Sequence, residues 1–192
     1  MDMAKAAMMT CTIVKVVKVT TKGEVGPIGR VNVLPMVNMV DGVGQTVKHG
    51  NIHNLPFMRM QGGKKAVIMD PKDGDIGVVV FADRDISAVK TSKKQSAPGS
   101  GRRYNMADGI YISSVLSEKP TCYIRFTDDD KVIVSPDDGK TVLTIEKDKI
   151  TSAVSDGLKT IVKPGRIDLG AEDAPHQVVT TGGVSTKVWA VI

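Results

Sequence analysis

Aromatic residues are scarce in this chain: three Phe, three Tyr and one Trp in 192 residues. So few large anchors argue against one big core and against a helical enzyme, and the abundance of Val and Ile favours modest β domains. No apolar run reaches 18 residues, so no transmembrane helix is expected. The N-terminal stretch has no continuous apolar segment, because Lys15 and Lys18 break it, and a signal peptide is not expected. Only two cysteines are present, Cys11 and Cys122, far apart and inside strand-like segments. Buried free thiols are expected there rather than a disulfide, and two thiols alone make no metal site. The chain also lacks a G-x-S-x-G elbow, a P-loop, a dinucleotide-binding glycine fingerprint and an H-E-x-x-H pair. Gly23–Arg30 (GEVGPIGR) is glycine-rich, but it lacks the Lys-Ser/Thr ending of a phosphate loop and the helix that should follow.

What the chain does contain is a repeat. From about Asp128 onward, short runs rich in β-branched residues alternate with tight polar turns. The runs are Lys131–Ser135, Thr141–Ile145, Ile150–Val154, Leu158–Val162 and Arg166–Leu169; the turns are DDD at 128–130, DDG at 137–139, KDK at 147–149, SDG at 155–157 and KPG at 163–165. The turn centres recur about every nine residues, the spacing of stacked short strands. A five-residue strand with one small apolar face cannot close a core alone, so stacking or oligomerisation must complete it. Two architectures fit: a narrow shaft shared between copies of the chain, or an antiparallel meander within one β domain.

Charge is uneven along the chain. Residues 1–103 carry sixteen Lys/Arg against eight Asp/Glu, and residues 104–192 carry ten against thirteen. A basic first half is the signature of a nucleic-acid binder. Its basic residues are dispersed, however, and no aromatics are interleaved with them for base stacking, so nucleic acid is not the expected partner.

Five segments follow from these patterns. Residues 1–22 form an N-terminal segment whose strand is Thr10–Thr20. Residues 23–90 hold five strand candidates separated by Gly, Pro and Asp turns (Gly29–Val33, Gly42–Val47, Asn51–Met58, Lys65–Met69 and Asp75–Phe81), enough for a small Greek-key barrel. Residues 91–103 (TSKKQSAPGSGRR) read as an exposed linker. Residues 104–169 carry the strand repeat. Residues 170–192 leave the period and read as a terminal cap or tip, with strand-like pieces at Gln177–Thr181 and Thr186–Ile192.

Residues 70–86, D-P-K-D-G-D-I-G-V-V-V-F-A-D-R-D-I, are the most specific stretch. They contain a turn at Asp73-Gly74, a buried strand at Ile76–Phe81 and a polar exit at Ala82–Asp85. The stretch resembles the N-terminal OB-fold domain of bacteriophage baseplate central spikes, the membrane-piercing tips of contractile tails, and the resemblance extends over about residues 10–90. It implies an all-β protein: an N-terminal OB-fold barrel followed by a short linker and a C-terminal intertwined trimeric β-helix or prism. The implied function is a structural one, a homotrimer that punctures the host cell envelope on tail contraction. The implied partners are the baseplate hub and tail tube, a possible tip-capping protein and the envelope, and the implied location is the virion. Many such spikes end in an H-x-H pair that binds iron on the threefold axis. This chain has no H-x-H. Its apex is then metal-free, or formed by another protein, or holds an axial ion through three copies of His176, the one metal candidate. The alternative reading is an OB-fold nucleic-acid-binding protein with a β-rich appendage.

His49 and His53 have helical i, i+4 spacing, but Gly50, Asn51, Asn54 and Pro56 around them argue against a helix. In a strand they would stand about 13 Å apart, too far to share one ion. Asp128–Asp130 and Asp137-Asp138 sit at turn positions where Asp caps backbone amides, and EF-hand spacing is absent. Asp83-Arg84-Asp85 reads as an ion-paired strand end. With no catalytic constellation and no cofactor motif, the chain is expected not to be an enzyme and to carry no cofactor.

Overall fold

The computed structural model describes residues 10–20, 25–155 and 157–191. The ends of the N-terminal segment at 1–9 and 21–22, the start of the glycine-rich stretch at 23–24, Asp156 of the SDG turn and Ile192 of the tail lie outside the described residues. The chain is all-β and divides into two units, Met1–Ser117 and Glu118–Ile192.

The first unit is built on a five-stranded half-barrel sheet. Its strands are β1 (Cys11–Val19), β2 (Arg30–Pro35), β5 (Ile52–Pro56), β8 (Ile76–Phe81) and β9 (Gly109–Ser114), in the order β5-β2-β1-β8-β9. Strand alternation turns Val14 and Val16, Val31 and Val33, Val79 and Phe81 inward, where they pack with Leu55, Phe57 and Tyr111. Register shifts at Val16/Lys18, Val31/Val33 and Val78/Val79 bend the strands and curl the sheet. Its outer strands meet at a single parallel bridge, Phe57 to Tyr111, where the Met58 N–H donates to the Tyr111 carbonyl at 2.8 Å.

Two hairpins project from this sheet: β3 (Met39–Val40) with β4 (Thr46–Val47), and β6 (Met60–Gly62) with β7 (Lys65–Val67). Their second arms, β4 and β7, fall in the expected wall strands Gly42–Val47 and Lys65–Met69. The barrel instead recruits β1 from the N-terminal segment and β9 from the expected shaft, so the boundaries at 23–90 and 104 are corrected to strands spanning 11–114. The physical reason is register: β1 lies between β2 and β8, pairing with β8 over Cys11–Lys15 and with β2 over Val14–Val19. The expected linker is also revised. Ser87–Ser92 form a short helix, α1, and Arg102 is pinned to buried carboxylates.

The second unit is one eight-stranded sheet. It contains β10 (Tyr123–Phe126), β11 (Val132–Ser135), β12 (Val142–Ile145), β13 (Ile150–Ala153), β14 (Lys159–Lys163), β15 (Arg166–Gly170), β16 (His176–Thr180) and β17 (Gly183–Ala190). The order is β10-β11-β12-β13-β14-β15-β17-β16, antiparallel throughout except for the parallel β15–β17 pair. The turns bend where the polar residues stand: Asp130, Asp138, Gly157 and Gly165 all adopt positive φ. Successive strands therefore pair within one chain as a meander. Within one chain each strand from β11 to β15 is bonded on both edges by its own neighbours. The tail is no separate cap either, since β17 is inserted inside the sheet.

Candidate functional site: an uncovered sheet face

Cross-strand register decides which side chains share a face. One line of paired residues runs Phe126–Val132–Ile145–Ile150–Val162–Ile167–Val188, apolar at every strand it crosses. A second line on the same face runs Ile124–Val134–Leu143–Ser152–Thr160–Leu169–Ala190–His176. No second layer covers them among the described residues: Phe126 is 78% and Ile124 62% exposed, and Leu143, Ile145, Ile150, Val162 and Leu169 are exposed as well. A contiguous apolar face of this size marks an interaction surface.

The opposite face is finished. Its line reads Arg125–Ile133–Thr144–Thr151–Ile161–Asp168–Trp189–Gln177. The β15–β16 connection folds over the end of this face and buries Ile161, Asp168 and Ala174. There the Asp168 carboxylate accepts from Arg166 Nε at 2.5 Å and from the Asp173 N–H at 3.1 Å, and Lys163 Nζ lies 3.2 Å away. Burial opposes ionisation of Asp168, but these partners outweigh it and hold its pKa below the usual range. The Arg166 guanidinium also donates to the Ala174 carbonyl and stacks on Trp189, 4.4 Å from the ring centre.

The first unit holds two buried ionic knots. Arg59 makes a bidentate pair with Asp70 (2.9 and 2.6 Å) and donates to the Gly26 carbonyl at 2.7 Å. Arg102 bridges Asp85 and Asp108, with contacts of 2.6 to 2.9 Å. Asp85 also accepts from the Ser87 N–H at 2.9 Å and the Ser100 hydroxyl at 2.8 Å. Ser87, then Ser100, then the Arg102 charge bring its pKa down to about 2. A cavity of about 380 Å³ opens beside Tyr111, between the outer edge of β9 and Met58, Met60, Val67 and Met69.

His176 lies exposed on the last strand of the apolar face, opposite Ala190. His53 is exposed on β5, and His49 lies in the irregular connection before it. Among the described residues no group of three or more His, Cys, Asp or Glu could hold a metal ion. Asp130 and Asp138 are turn residues at positive φ, and Asp137 Oδ1 caps the Thr141 N–H at 2.6 Å. Both cysteines are exposed, correcting the expectation of buried thiols: Cys11 starts β1 and pairs with Val80, while Cys122 precedes an edge strand. Within Asp83-Arg84-Asp85, the Asp83–Arg84 pair is exposed and 4.0 Å apart, and the structural residue is Asp85, whose partner is seventeen positions away. Arg102 and Asp108 carry no signal in the sequence, because charged residues in a polar loop look solvated.

The D-P-K-D-G-D stretch has a local explanation. Asp73 Oδ1 accepts from the Val19 N–H, the Gly74 N–H donates to the Val16 carbonyl and the Val16 N–H to the Asp75 carbonyl, at 2.8, 2.9 and 2.8 Å. The turn is thus stitched onto the bulged part of β1.

Comparison with known families adds one finding. Residues 26–114 match the family described as phage protein Gp138 N-terminal domain. The match runs from just before β2 to the last residue of β9, just under half of the chain, and it supports a phage protein. No curated protein matches the chain.

Proposed function

We propose that this chain is a structural protein of the phage tail, a homotrimeric baseplate central spike that breaches the host envelope when the tail contracts. The observation that carries the reading is the apolar face of the second unit, uncovered in one chain and following a domain that matches a phage family. Three further features support it. The half-barrel's strand order, with the first strand central and the third and fifth meeting in parallel, is that of an OB-fold. The second unit is a regular stack of short strands with satisfied polar turns, a design for stiffness rather than for chemistry. Its outward ionic groups are paired rather than poised in a cleft. In this reading the barrel docks on the baseplate hub, the shaft points at the envelope, and the protein is no enzyme and needs no cofactor.

Sedimentation of the full chain tests the proposal. The expected mass is three times the 20.5 kDa of one chain, and antibody against the second unit should label the far end of the tail in virions. A monomer retained on filters with single-stranded DNA at moderate salt would replace the spike with the nucleic-acid reading.

A further inference from the structure

Three methionines gather at one place in the first unit. Met58, Met60 and Met69 all line the cavity of about 380 Å³ beside Tyr111, together with Val67, Asp75 and Ser114. Methionine in a globular domain normally fills gaps in a core, yet these three are 50%, 64% and 78% exposed and belong to no core cluster. Packing therefore does not account for them. Their backbone is nevertheless fixed. Met60 pairs with Val67 across the β6–β7 hairpin; Met58 stands two positions before Met60, and Met69 two positions after Val67. The Met58 N–H is bonded to the Tyr111 carbonyl at 2.8 Å. Arg59 stands between Met58 and Met60, and Asp70 follows Met69. Their bidentate pair, at 2.9 and 2.6 Å and with both side chains buried, clamps the two arms together.

We propose that Met58, Met60 and Met69 are the ligands of a soft monovalent cation of the Cu(I) class, held between the β6–β7 hairpin and β9. Thioether sulfur is a neutral, polarisable donor that selects Cu(I) over hard ions such as Mg²⁺ and Ca²⁺. Positions two apart on one arm have Cα atoms at most about 7 Å apart. The unbranched methionine side chain, with three rotatable bonds, lets the sulfurs close the remaining gap. The charges around the cavity agree. Arg59 neutralises Asp70, and Lys72 offsets Asp75, whose Oδ2 accepts from the Lys72 N–H at 2.8 Å and from the Ser114 hydroxyl at 3.3 Å. A lining without net charge suits a single positive charge on neutral ligands and disfavours a divalent ion. The Arg59–Asp70 clamp supplies preorganisation, since ligands placed by a fixed backbone need little rearrangement to bind. The site lies wholly within the first unit and does not depend on the trimeric reading.

Silver(I), a soft monovalent ion that is stable in aerated buffer, is the probe. The full chain with Cys11→Ser and Cys122→Ser, which removes both thiols, is titrated with silver nitrate in chloride-free buffer and followed through its ¹³C-labelled methionine methyl signals. The expected result is that the Met58, Met60 and Met69 methyls shift together and stop moving at one ion per chain. Excess Zn²⁺ should not reverse the shift. Met69→Leu, at the most exposed of the three, conserves volume and should lose the saturating site. Met60→Leu repeats the measurement if circular dichroism shows that the first variant does not fold. Met36→Leu with Met39→Leu removes two exposed methionines that do not line the cavity, and should leave the site intact. The methionines before residue 10 are present in every variant, so they do not bear on the comparison. Independent movement of the three signals would overturn the proposal, as would shifts at Met36 and Met39 that never saturate. Silver binding by the Met69→Leu chain equal to that of the parent would do the same. Displacement by Zn²⁺ would assign the ion to carboxylates, and no movement at all would leave the cavity a plain apolar groove; either result overturns the thioether site.

Discussion

Gly77 shows how one atom constrains the barrel. It lies on the inner side of β8, and a Cβ there would overlap the Tyr111 phenol ring and crowd the Ser113 carbonyl. Tyr111 cannot retreat, because it is buried, helps close the barrel and places its hydroxyl 3.1 Å from Ser114 Oγ. Gly77→Ala should therefore destabilise the first unit by about 1–3 kcal/mol, as overpacking does; Leu55→Ala, which empties a fully buried site, should cost about 2–5 kcal/mol. Chemical denaturation followed through the first unit checks both, and an unchanged midpoint for Gly77→Ala would mean that the ring is not held there. Asp85 gives a pH dependence. Its folded pKa of about 2 lies below the ordinary carboxylate value. The stability it contributes is thus fully present above about pH 5 and lost as pH falls towards 2, since the unfolded chain binds the proton first. In Asp85→Asn, thermal stability of the first unit should be lower at neutral pH and fall less steeply with acid. Asp83→Asn, at an exposed site, should follow the parent curve.

At the scale of the strand, β11 offers a paired comparison. Val134 lies in the apolar line between Ile124 and Leu143, while Ile133 faces Arg125 and Thr144 on the outward side. In the proposed trimer, Val134→Asp sets three carboxylates around a dry axis, at several kcal/mol for each unpaired buried charge, and should abolish the trimer in sedimentation. Ile133→Asp should leave it assembled. Equal effects would mean that neither face is the core. The same element shows what a sequence can reveal. The nine-residue period was legible because its turns need residues that accept positive φ, and Asp130, Asp138, Gly157 and Gly165 announce themselves. The barrel was legible only as a set of strands. Alternating valines identify β1 and β2, but nothing local tells that Gly109–Ser114 crosses back to pair with β8. Hence the pieces at 42–47 and 65–69 looked like wall strands, whereas Thr46–Val47 and Lys65–Val67 are the second arms of short hairpins. The interaction face was hidden for the same reason: Phe126 and Val188 join one line only through six successive pairings.

For the second unit as a whole, eight strands separated by seven gaps of about 4.8 Å make a stack about 34 Å from first strand to last. The tail supplies two of these strands, and its place in the sheet changes its role. A terminal tip could be cut away without harm to the shaft. Here, however, β17 lies between β15 and β16, pairs with β15 in parallel through Ile167–Val188, Asp168–Trp189 and Leu169–Ala190, and holds β16 on its other side. Its Trp189 is the platform for Arg166, which in turn neutralises the buried Asp168. Removing residues 186–192 would leave β16 only its turn-proximal pairs to Gly183 and Val184, open the edge of β15 and take Val188 and Ala190 from the apolar face. The expected outcome is therefore loss of the trimer and of β-structure in the second unit, read by sedimentation and circular dichroism. Trp189→Ala, which keeps the strand, should leave the trimer assembled but lower its melting temperature, because Arg166 and Asp168 lose their cover. A truncated chain that still sediments as a trimer with an intact sheet, yet fails in infection, would instead make the tail a separable tip.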